Sequence, residues 1–248
     1  MITVRALVPT RVHPLRVYAS AFAIMARNLR VVVPVVVVAT FIPAAIEIFV
    51  AHELPRGVAG LLTTTVDTFA AGVFAGAAEQ LVHRWEEGER HIPLKGVLSR
   101  VPPVIFPLLA VVILQSLAVA VGFLLLIVPG FVIWTYFAVV GPVVVAENPG
   151  IRKSFRRSRC LVRGNGWRVF AVLFSLELLA GLVAFVIGLI FTSIGETGDN
   201  PIALAIGESL TLPLEVLAVA VMYWRLREVE RARLSAAEEA VADAPAAG

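Results

Sequence analysis

The sequence predicts an all-α, polytopic membrane protein, a single six-transmembrane-helix bundle with interfacial amphipathic helices at its N-terminus and between two spans. Apolar residues make up 59% of the 248 residues and the mean hydropathy is +0.89. Soluble domains contain only about 45–50% apolar residues. Long apolar stretches alternate with short polar segments, and Arg and Lys collect in every second polar segment. This pattern excludes a soluble globular domain.

Six stretches approach the length needed to cross a bilayer, about 20 apolar residues for about 30 Å of hydrocarbon. The predicted spans, all within one domain of residues 1–233, are 30–50, 58–81, 104–126, 131–146, 169–191 and 202–224. The fourth span is short, and the second is weakly apolar because it contains four threonines and Asp67. The bounds of these two spans are therefore the least sharply defined.

The basic residues predict the orientation of the bundle. Five lie in the N-terminal arm, four in the loop after span two, seven in the loop after span four and four at the C-terminal end, and Arg56 alone lies on the other side. Cytoplasmic segments carry an excess of Lys and Arg. We therefore expect a multi-pass protein of the cell membrane, with both termini and the two basic loops in the cytoplasm.

The flanks of the bundle differ in character. Residues 14–28 repeat apolar side chains at helical spacing, which predicts an interfacial helix, although a solvated arm is the alternative. The first 20 residues lack the apolar stretch and cleavage site of a secretory signal. Residues 234–248 are rich in Ala and acidic, which predicts a disordered tail. Cys160 is the single cysteine and lies in a predicted cytoplasmic loop, so no intrachain disulfide is expected.

Small residues predict which helix faces pack together, because membrane helices associate by close packing of small side chains. Span two carries a small residue every four positions: Gly60, Thr64, Thr68, Gly72 and Gly76. In span five Gly181 and Gly188 share a face with Glu177, and span six carries Thr211 between two acids. Between spans three and four, Val128-Pro129-Gly130 predicts a tight turn.

Four acids fall within the predicted spans: Asp67, Glu177, Glu208 and Glu215. By helical rise, Glu177 matches Glu215 in depth in the inner half and Asp67 matches Glu208 in the outer half. An ionisable group at this depth is expensive and is a functional-site hypothesis by default. We consider two interpretations: a proton- or cation-responsive pathway, or neutral acids that join helices or line a small wet cavity, with Gln115 among the candidate hydrogen-bond partners.

The loop after span four carries the densest charge in the chain. Six of its seven basic residues lie close together: Arg152, Lys153, Arg156, Arg157, Arg159 and Arg163. Ile151, Phe155 and Val162 recur among them at helical spacing, which predicts a basic amphipathic helix lying on anionic lipid headgroups. Nucleic-acid binding is the alternative from charge alone, but membrane topology already accounts for this charge. We expect anionic membrane lipids, and no nucleic acid, as partners.

Several short segments carry a family resemblance. The matching residues are Glu147, Phe155, Arg157, Ser158, Leu161, Gly164 and Trp167, with Val128-Pro-Gly before them and Tyr223-Trp-Arg-Leu-Arg after them. These segments, within residues 128–168 and 223–227, resemble a family of bacterial integral membrane domains, including the one fused to some glycerophosphoryl diester phosphodiesterases. The chain departs from the motif at Arg159, where the family carries an aromatic residue. The resemblance implies a six-helix bundle that in some relatives is attached to a lipid-related hydrolase.

The sequence predicts no catalytic activity, cofactor or metal. It has no Gly-x-Ser-x-Gly, phosphate-binding loop or dinucleotide fingerprint. His83, Glu87 and His91 could share one helical face, but they match no metalloenzyme signature and a solvated loop is the simpler interpretation. The favoured function is a non-catalytic bundle that contacts lipids or a membrane protein partner, with self-association left open. The alternative is a small transporter or channel that uses the four acids.

Overall fold

The computed structural model describes residues 12–54, 56–89, 92–94, 96, 102–196 and 200–242. These residues contain helices and connecting turns and no strand, which confirms the all-α prediction. In chain order the helices are α1 (Pro14–Arg27), α2 (Leu29–Glu53), α3 (Arg56–Glu86), α4 (Pro102–Leu125), α5 (Ile127–Tyr136), α6 (Val140–Glu147), α7 (Ile151–Val162), α8 (Gly166–Ser193) and α9 (Pro201–Ala242).

Within the described residues, five segments are long and apolar enough to cross a membrane, as expected of a multi-pass protein. They are Leu29–Phe49, Phe106–Leu125, Ile127–Glu147, Gly166–Ser193 and Pro201–Glu239. Only 17% of the apolar windows of α4 and α8 is buried inside the chain, so most of their side chains face outward. Outward-facing apolar side chains on long helices are what a lipid environment requires.

The predicted second span differs from the other five. It lies within α3, whose 31 residues extend about 46 Å, more than the hydrocarbon core requires. Asp67, Glu79 and Gln80 accompany its threonines, which makes α3 less apolar than the spans predicted on either side of it. α3 packs against α2, α4, α6 and α9. The count of six spans therefore stays a prediction.

The N-terminal helix packs against the bundle. α1 and α2 meet at a single residue, Asn28, whose backbone N–H and side-chain amide both donate to the Ile24 carbonyl. Val17, Ala21 and Ile24 are buried against α8 and α9, whereas Leu15 points outward with 81% of its surface exposed. The predicted helix is present, but its buried face contacts protein.

Two turns of the fold depart from the prediction. Val128-Pro129-Gly130 is not a turn: it forms the beginning of α5, and the chain reverses at Leu126. α4 and α5 then pack closely, because a Cβ on Gly122 would lie 2.9 Å from the Gly130 Cα. The predicted fourth span is also two helices, α5 and α6, separated at residues 137–139. The Ser158 hydroxyl donates to the Tyr136 carbonyl at this break, at 2.8 Å.

α9 is the central helix and contacts α1, α2, α3 and α8. It is longer than the predicted span and continues to Ala242, so residues 234–242 are helical and not the beginning of a disordered tail. Residues 243–248 lie outside the described part of the chain. The core around the inner half of α9 includes Leu217, Val221, Tyr223 and Leu226.

Candidate functional site

Charged residues from three helices meet at one end of the bundle, in a group that we name the Arg157 cluster. It comprises Glu147, Arg157, Tyr223, Arg227 and Glu230. Glu147 is the last residue of α6, and the left-handed backbone of Asn148 ends that helix and directs the chain into α7. Arg157 lies on α7, and α9 supplies Tyr223, Arg227 and Glu230.

Arg157 is bound on two sides by carboxylates. Its two terminal nitrogens lie 2.5 and 2.6 Å from the Glu230 carboxylate oxygens, a bidentate contact, and its Nε lies 3.1 Å from Glu147 Oε2. The hydrogen bonds to Glu230, followed by those to Glu147, raise the pKa of Arg157 further above its ordinary value. A bidentate guanidinium–carboxylate pair fixes orientation as well as distance. The side chain therefore joins α7 to both α6 and α9.

Glu147 is held by more than Arg157. The Tyr223 hydroxyl donates to Glu147 Oε1 at 2.9 Å, and Arg227 Nε lies 3.8 Å from the same oxygen. A carboxylate at a helix C-terminus meets the negative end of the helix dipole, which is unfavourable. The two guanidinium groups and the phenol offset that repulsion.

An aromatic extension carries the cluster into the bundle. The Arg227 guanidinium lies 5.2 Å from the centre of the Trp224 ring, and Trp224 Nε1 donates to Glu79 Oε1 at 3.1 Å. Glu79 is 2% exposed, and its second oxygen has no hydrogen-bond partner. The His83 ring stacks on the Trp224 ring, with 5.2 Å between the two ring centres. α3 is thereby joined to the same end of α9.

α7 has a docked face and an exposed basic face. Ser154, Ser158, Leu161 and Val162 are buried against the bundle. Five basic residues in and directly after this helix are exposed: Arg152, Lys153, Arg156, Arg159 and Arg163. We name these five residues the α7 basic face.

This arrangement corrects two parts of the prediction for α7. Arg157 was expected among the lipid contacts, but it is turned toward Glu147 and Glu230. Phe155 and Val162 were expected to rest on the membrane, but Phe155 packs edge-on against Phe137 at 4.8 Å and Val162 is fully buried. Residue 157 completes a helical face with 154, 158 and 161, so it must point toward the protein.

The other residues of the family resemblance also have defined positions. Ser158 bonds to Tyr136, and Leu161 is buried. Gly164 has a backbone φ of +87°, which side chains with a Cβ rarely adopt, in the turn between α7 and α8. Trp167 is 80% exposed and stacks on Phe170. An exposed Trp beside a basic helix is typical of a membrane–water interface.

The four acids of the predicted spans form a second charged region, which we name the acid region. Glu208 lies close enough to Asp67, and Glu215 close enough to Glu177 and Glu208, for like charges to repel. Asp67, Glu177 and Glu208 are exposed at the surface of the chain, whereas Glu215 is half-buried. Among the described residues none of the four forms an ion pair with a cation. Gln115 is half-buried on α4.

Small residues line a cavity beside the acid region. It has a volume of about 260 Å³ and lies between α8 and α9, bordered by Gly181, Gly188, Gly207, Glu208 and Thr211. The seams of spans five and six thus face each other but do not close, since a Cβ on Gly181 would meet no atom within 4 Å.

The seam on α3 is closed in its inner half. Gly72 and Gly76 are buried, and a Cβ on Gly72 would lie 3.2 Å from Leu109 Cδ2 of α4. Thr64 is exposed, and the surroundings of Gly60 and Thr68 lie outside what the structure describes. His91, which the sequence could place on one face with His83 and Glu87, also lies outside the described residues.

Sequence reasoning missed Glu79 and Glu230 as members of a site. Glu230 lies 73 residues from Arg157 in a segment that resembles an ordinary solvated helix end. Glu79 had one available signal, an acid followed by Gln80 at the inner end of a weakly apolar span. Comparison with known proteins adds no further residue, because the chain matches no family model, no curated protein and no solved structure.

Proposed function

We propose that this chain is a non-catalytic integral membrane protein that binds anionic lipid headgroups at the inner leaflet through the α7 basic face. The observation that carries the proposal is the division of α7 into a face locked to the bundle by Arg157 and a face that presents five exposed cations. Because α7 is already fixed to the bundle, its exposed cations are presented to the headgroups without a change in the backbone when lipid binds.

The surroundings of α7 support a position at the headgroups. Trp167, the second residue of α8, is exposed next to it, and apolar helices run from this end into the bundle. The distribution of Lys and Arg supports a cytoplasmic position for this end, where anionic lipids attract basic segments by about 1 kcal/mol per residue. The resemblance to membrane domains attached to a lipid-related hydrolase is consistent with a lipid-facing role.

The test compares two double variants of equal charge in nanodiscs that contain phosphatidylglycerol and phosphatidylcholine. Arg152→Gln/Arg156→Gln removes two cations from the α7 basic face, and Arg16→Gln/Arg231→Gln removes two exposed cations elsewhere. We expect the first pair alone to lower the excess of phosphatidylglycerol bound to the purified protein, measured by lipid extraction and mass spectrometry.

Salt provides an independent check. Raising the salt from about 0.1 M to about 1 M shortens the Debye length from about 10 Å to about 3 Å. The excess of phosphatidylglycerol around the unaltered chain should therefore fall with salt, and the Arg152→Gln/Arg156→Gln variant should respond less. Equal lipid excess and equal salt response in both variants would mean that the basic residues of α7 set topology only.

A second candidate function is passage of protons or cations along the acid region. Two features favour it. Asp67, Glu208, Glu215 and Glu177 form a series in which each acid lies near the next, and a cavity borders Glu208. Proteoliposomes with an internal pH dye would test it under an imposed potential. Transport requires faster acidification than in empty liposomes and its loss in Glu208→Gln; equal rates in protein-containing and empty liposomes would exclude it.

A further inference from the structure

Two cavities adjoin along α2, at the side of the bundle away from α7. The first has a volume of about 690 Å³ and lies at the joint between α1 and α2. Its lining includes Arg27, Arg30, Ile92 and Pro93. Both arginines are exposed, and the Arg27 guanidinium lies 5.6 Å from the centre of the Trp85 ring. This cavity is basic and polar at its mouth.

The second cavity is an apolar groove between α2 and α3 with a volume of about 410 Å³. Its lining contains no charged side chain and includes Pro34, Val35, Val38, Ala39, Ile42 and Leu94. From residue 34 to residue 43 the groove follows α2 for about 14 Å. That length is close to half of the roughly 30 Å hydrocarbon core, the depth of one leaflet.

The two cavities are continuous in sequence and on the helix surface. Val31 of the basic cavity and Val35, Val38 and Ile42 of the groove are spaced at i, i+4, i+7 and i+11, which places them on one face of α2. The segment 92–94 lines both cavities, since Ile92 and Pro93 border the first and Leu94 borders the second. A single molecule with a polar head and an apolar tail could occupy both.

The charges and the size of the polar cavity select the head. Within the described part of the chain, Arg30 makes no hydrogen bond or ion pair, so its guanidinium is available to a ligand. Guanidinium groups bind phosphate through paired N–H donors. A phosphodiester carries one negative charge, as a fatty-acid carboxylate does, so charge alone does not decide between them. The size of the polar cavity, about 690 Å³ and lined by both arginines, favours the larger phosphate and glycerol head of a phospholipid.

We propose that this is a binding site for one phospholipid, with its phosphate between Arg27 and Arg30 and one acyl chain in the groove between α2 and α3. The site goes beyond the lipid contact of α7, because it lies on different helices and holds a single molecule. It places a defined lipid against α3, which is weakly apolar because of its threonines and Asp67.

The test uses the full chain in detergent, titrated with phosphatidylglycerol and examined by native mass spectrometry. The unaltered chain should retain one lipid after the others have been removed by mild activation. Arg27→Gln/Arg30→Gln should weaken that one-lipid complex about 30-fold, since two contacts of about 1 kcal/mol each combine to about 2 kcal/mol. Arg152→Gln/Arg156→Gln, with the same loss of charge on α7, should leave it unchanged.

The tail is tested separately from the head. Ala39→Phe fills the groove and should reduce the one-lipid complex with both arginines intact, whereas the same change at Ala120, which is exposed on α4, should not. If Ala39→Phe fails to fold, phosphatidylglycerol with a photoreactive acyl chain is cross-linked to the unaltered protein. Labelling should then concentrate in peptides from α2 and α3.

The outcomes distinguish this site from the proposed function of α7. Retention of the one-lipid complex in Arg27→Gln/Arg30→Gln, or labelling spread evenly over α4 and α8, would overturn the phospholipid site and leave the α7 proposal standing. Loss of the complex in Arg152→Gln/Arg156→Gln alone would assign the retained lipid to α7 and also overturn the site. Loss in the Arg27→Gln/Arg30→Gln and Ala39→Phe variants alone would establish it.

Discussion

The Arg157 cluster and the acid region share one helix, α9, but are built differently. In the cluster, Glu147 and Glu230 are paired with Arg157, and hydrogen bonds join α6, α7 and α9. In the acid region, Glu208 and Glu215 have acids as their charged neighbours. Attraction between opposite charges can hold helices together, whereas repulsion between like charges cannot. The first region is therefore suited to fixing α7 in place, and the second contributes little to stability.

The largest effect is expected from removing the shared cation of the cluster. Arg157→Gln leaves two carboxylates facing each other and should destabilise the fold by about 1–3 kcal/mol, between the values for exposed and buried ion pairs, because the side chain is partly buried. Thermal unfolding in detergent should show a Tm lowered by about 2–10 °C.

Two further variants at this position sharpen the result. Arg156→Gln makes the same change at the neighbouring exposed residue and should alter stability by less than about 0.5 kcal/mol. Arg157→Lys should recover only part of the loss, because an ammonium group cannot bind two carboxylates in a planar fork. Equal Tm values for the variants at 156 and 157 would show that the cluster does not hold α7.

A second pair of variants contrasts the two regions directly. Glu147→Gln removes the charge that Arg157 and Tyr223 both contact and should lower stability by about 1–2 kcal/mol. Glu215→Gln removes an acid whose neighbours Glu177 and Glu208 are also acids, so it should leave stability unchanged or raise it by up to about 1 kcal/mol. Unfolding of both variants in the same detergent measures the contrast. A destabilised Glu215→Gln would indicate a cation bound in the acid region.

The long apolar helices could be predicted from composition, because a bilayer demands uniformly apolar runs. The break between α5 and α6 could be predicted only in part. Gly141-Pro142 follows it directly, and Pro142 has no N–H to donate to the Ala138 carbonyl, so a helix interruption near residue 138 has a local signal. The contact that accompanies the break has no such signal, because the Tyr136 carbonyl accepts from Ser158 of another helix.

The site was predictable only in part, for a related reason. Arg156 and Arg157 are the same residue type in the same basic run, so composition cannot separate them. The docked face of α7 contains Ser154 and Ser158 beside Leu161 and Val162, and a search for apolar periodicity therefore finds only part of it. Family resemblance marked Glu147 and Arg157 together, but only the fold brings Glu230 to them.

The smallest effect is expected at one glycine from each region, and the two signs should be opposite. Gly164, in the turn that follows α7, has a φ of +87°, and a Cβ there would lie 3.3 Å from the Arg233 guanidinium. Gly164→Ala should therefore lower stability by about 1 kcal/mol.

Gly181 lies inside α8 beside the acid region, where a Cβ meets no atom within 4 Å. Gly181→Ala should raise stability by about 0.5–1 kcal/mol, because Ala favours the helix over Gly. Paired Tm measurements check both signs. If Gly181→Ala is instead destabilising, the added methyl group meets a neighbouring helix. The cavity between α8 and α9 would then be closed, and Glu208 beside it would be packed between the two helices.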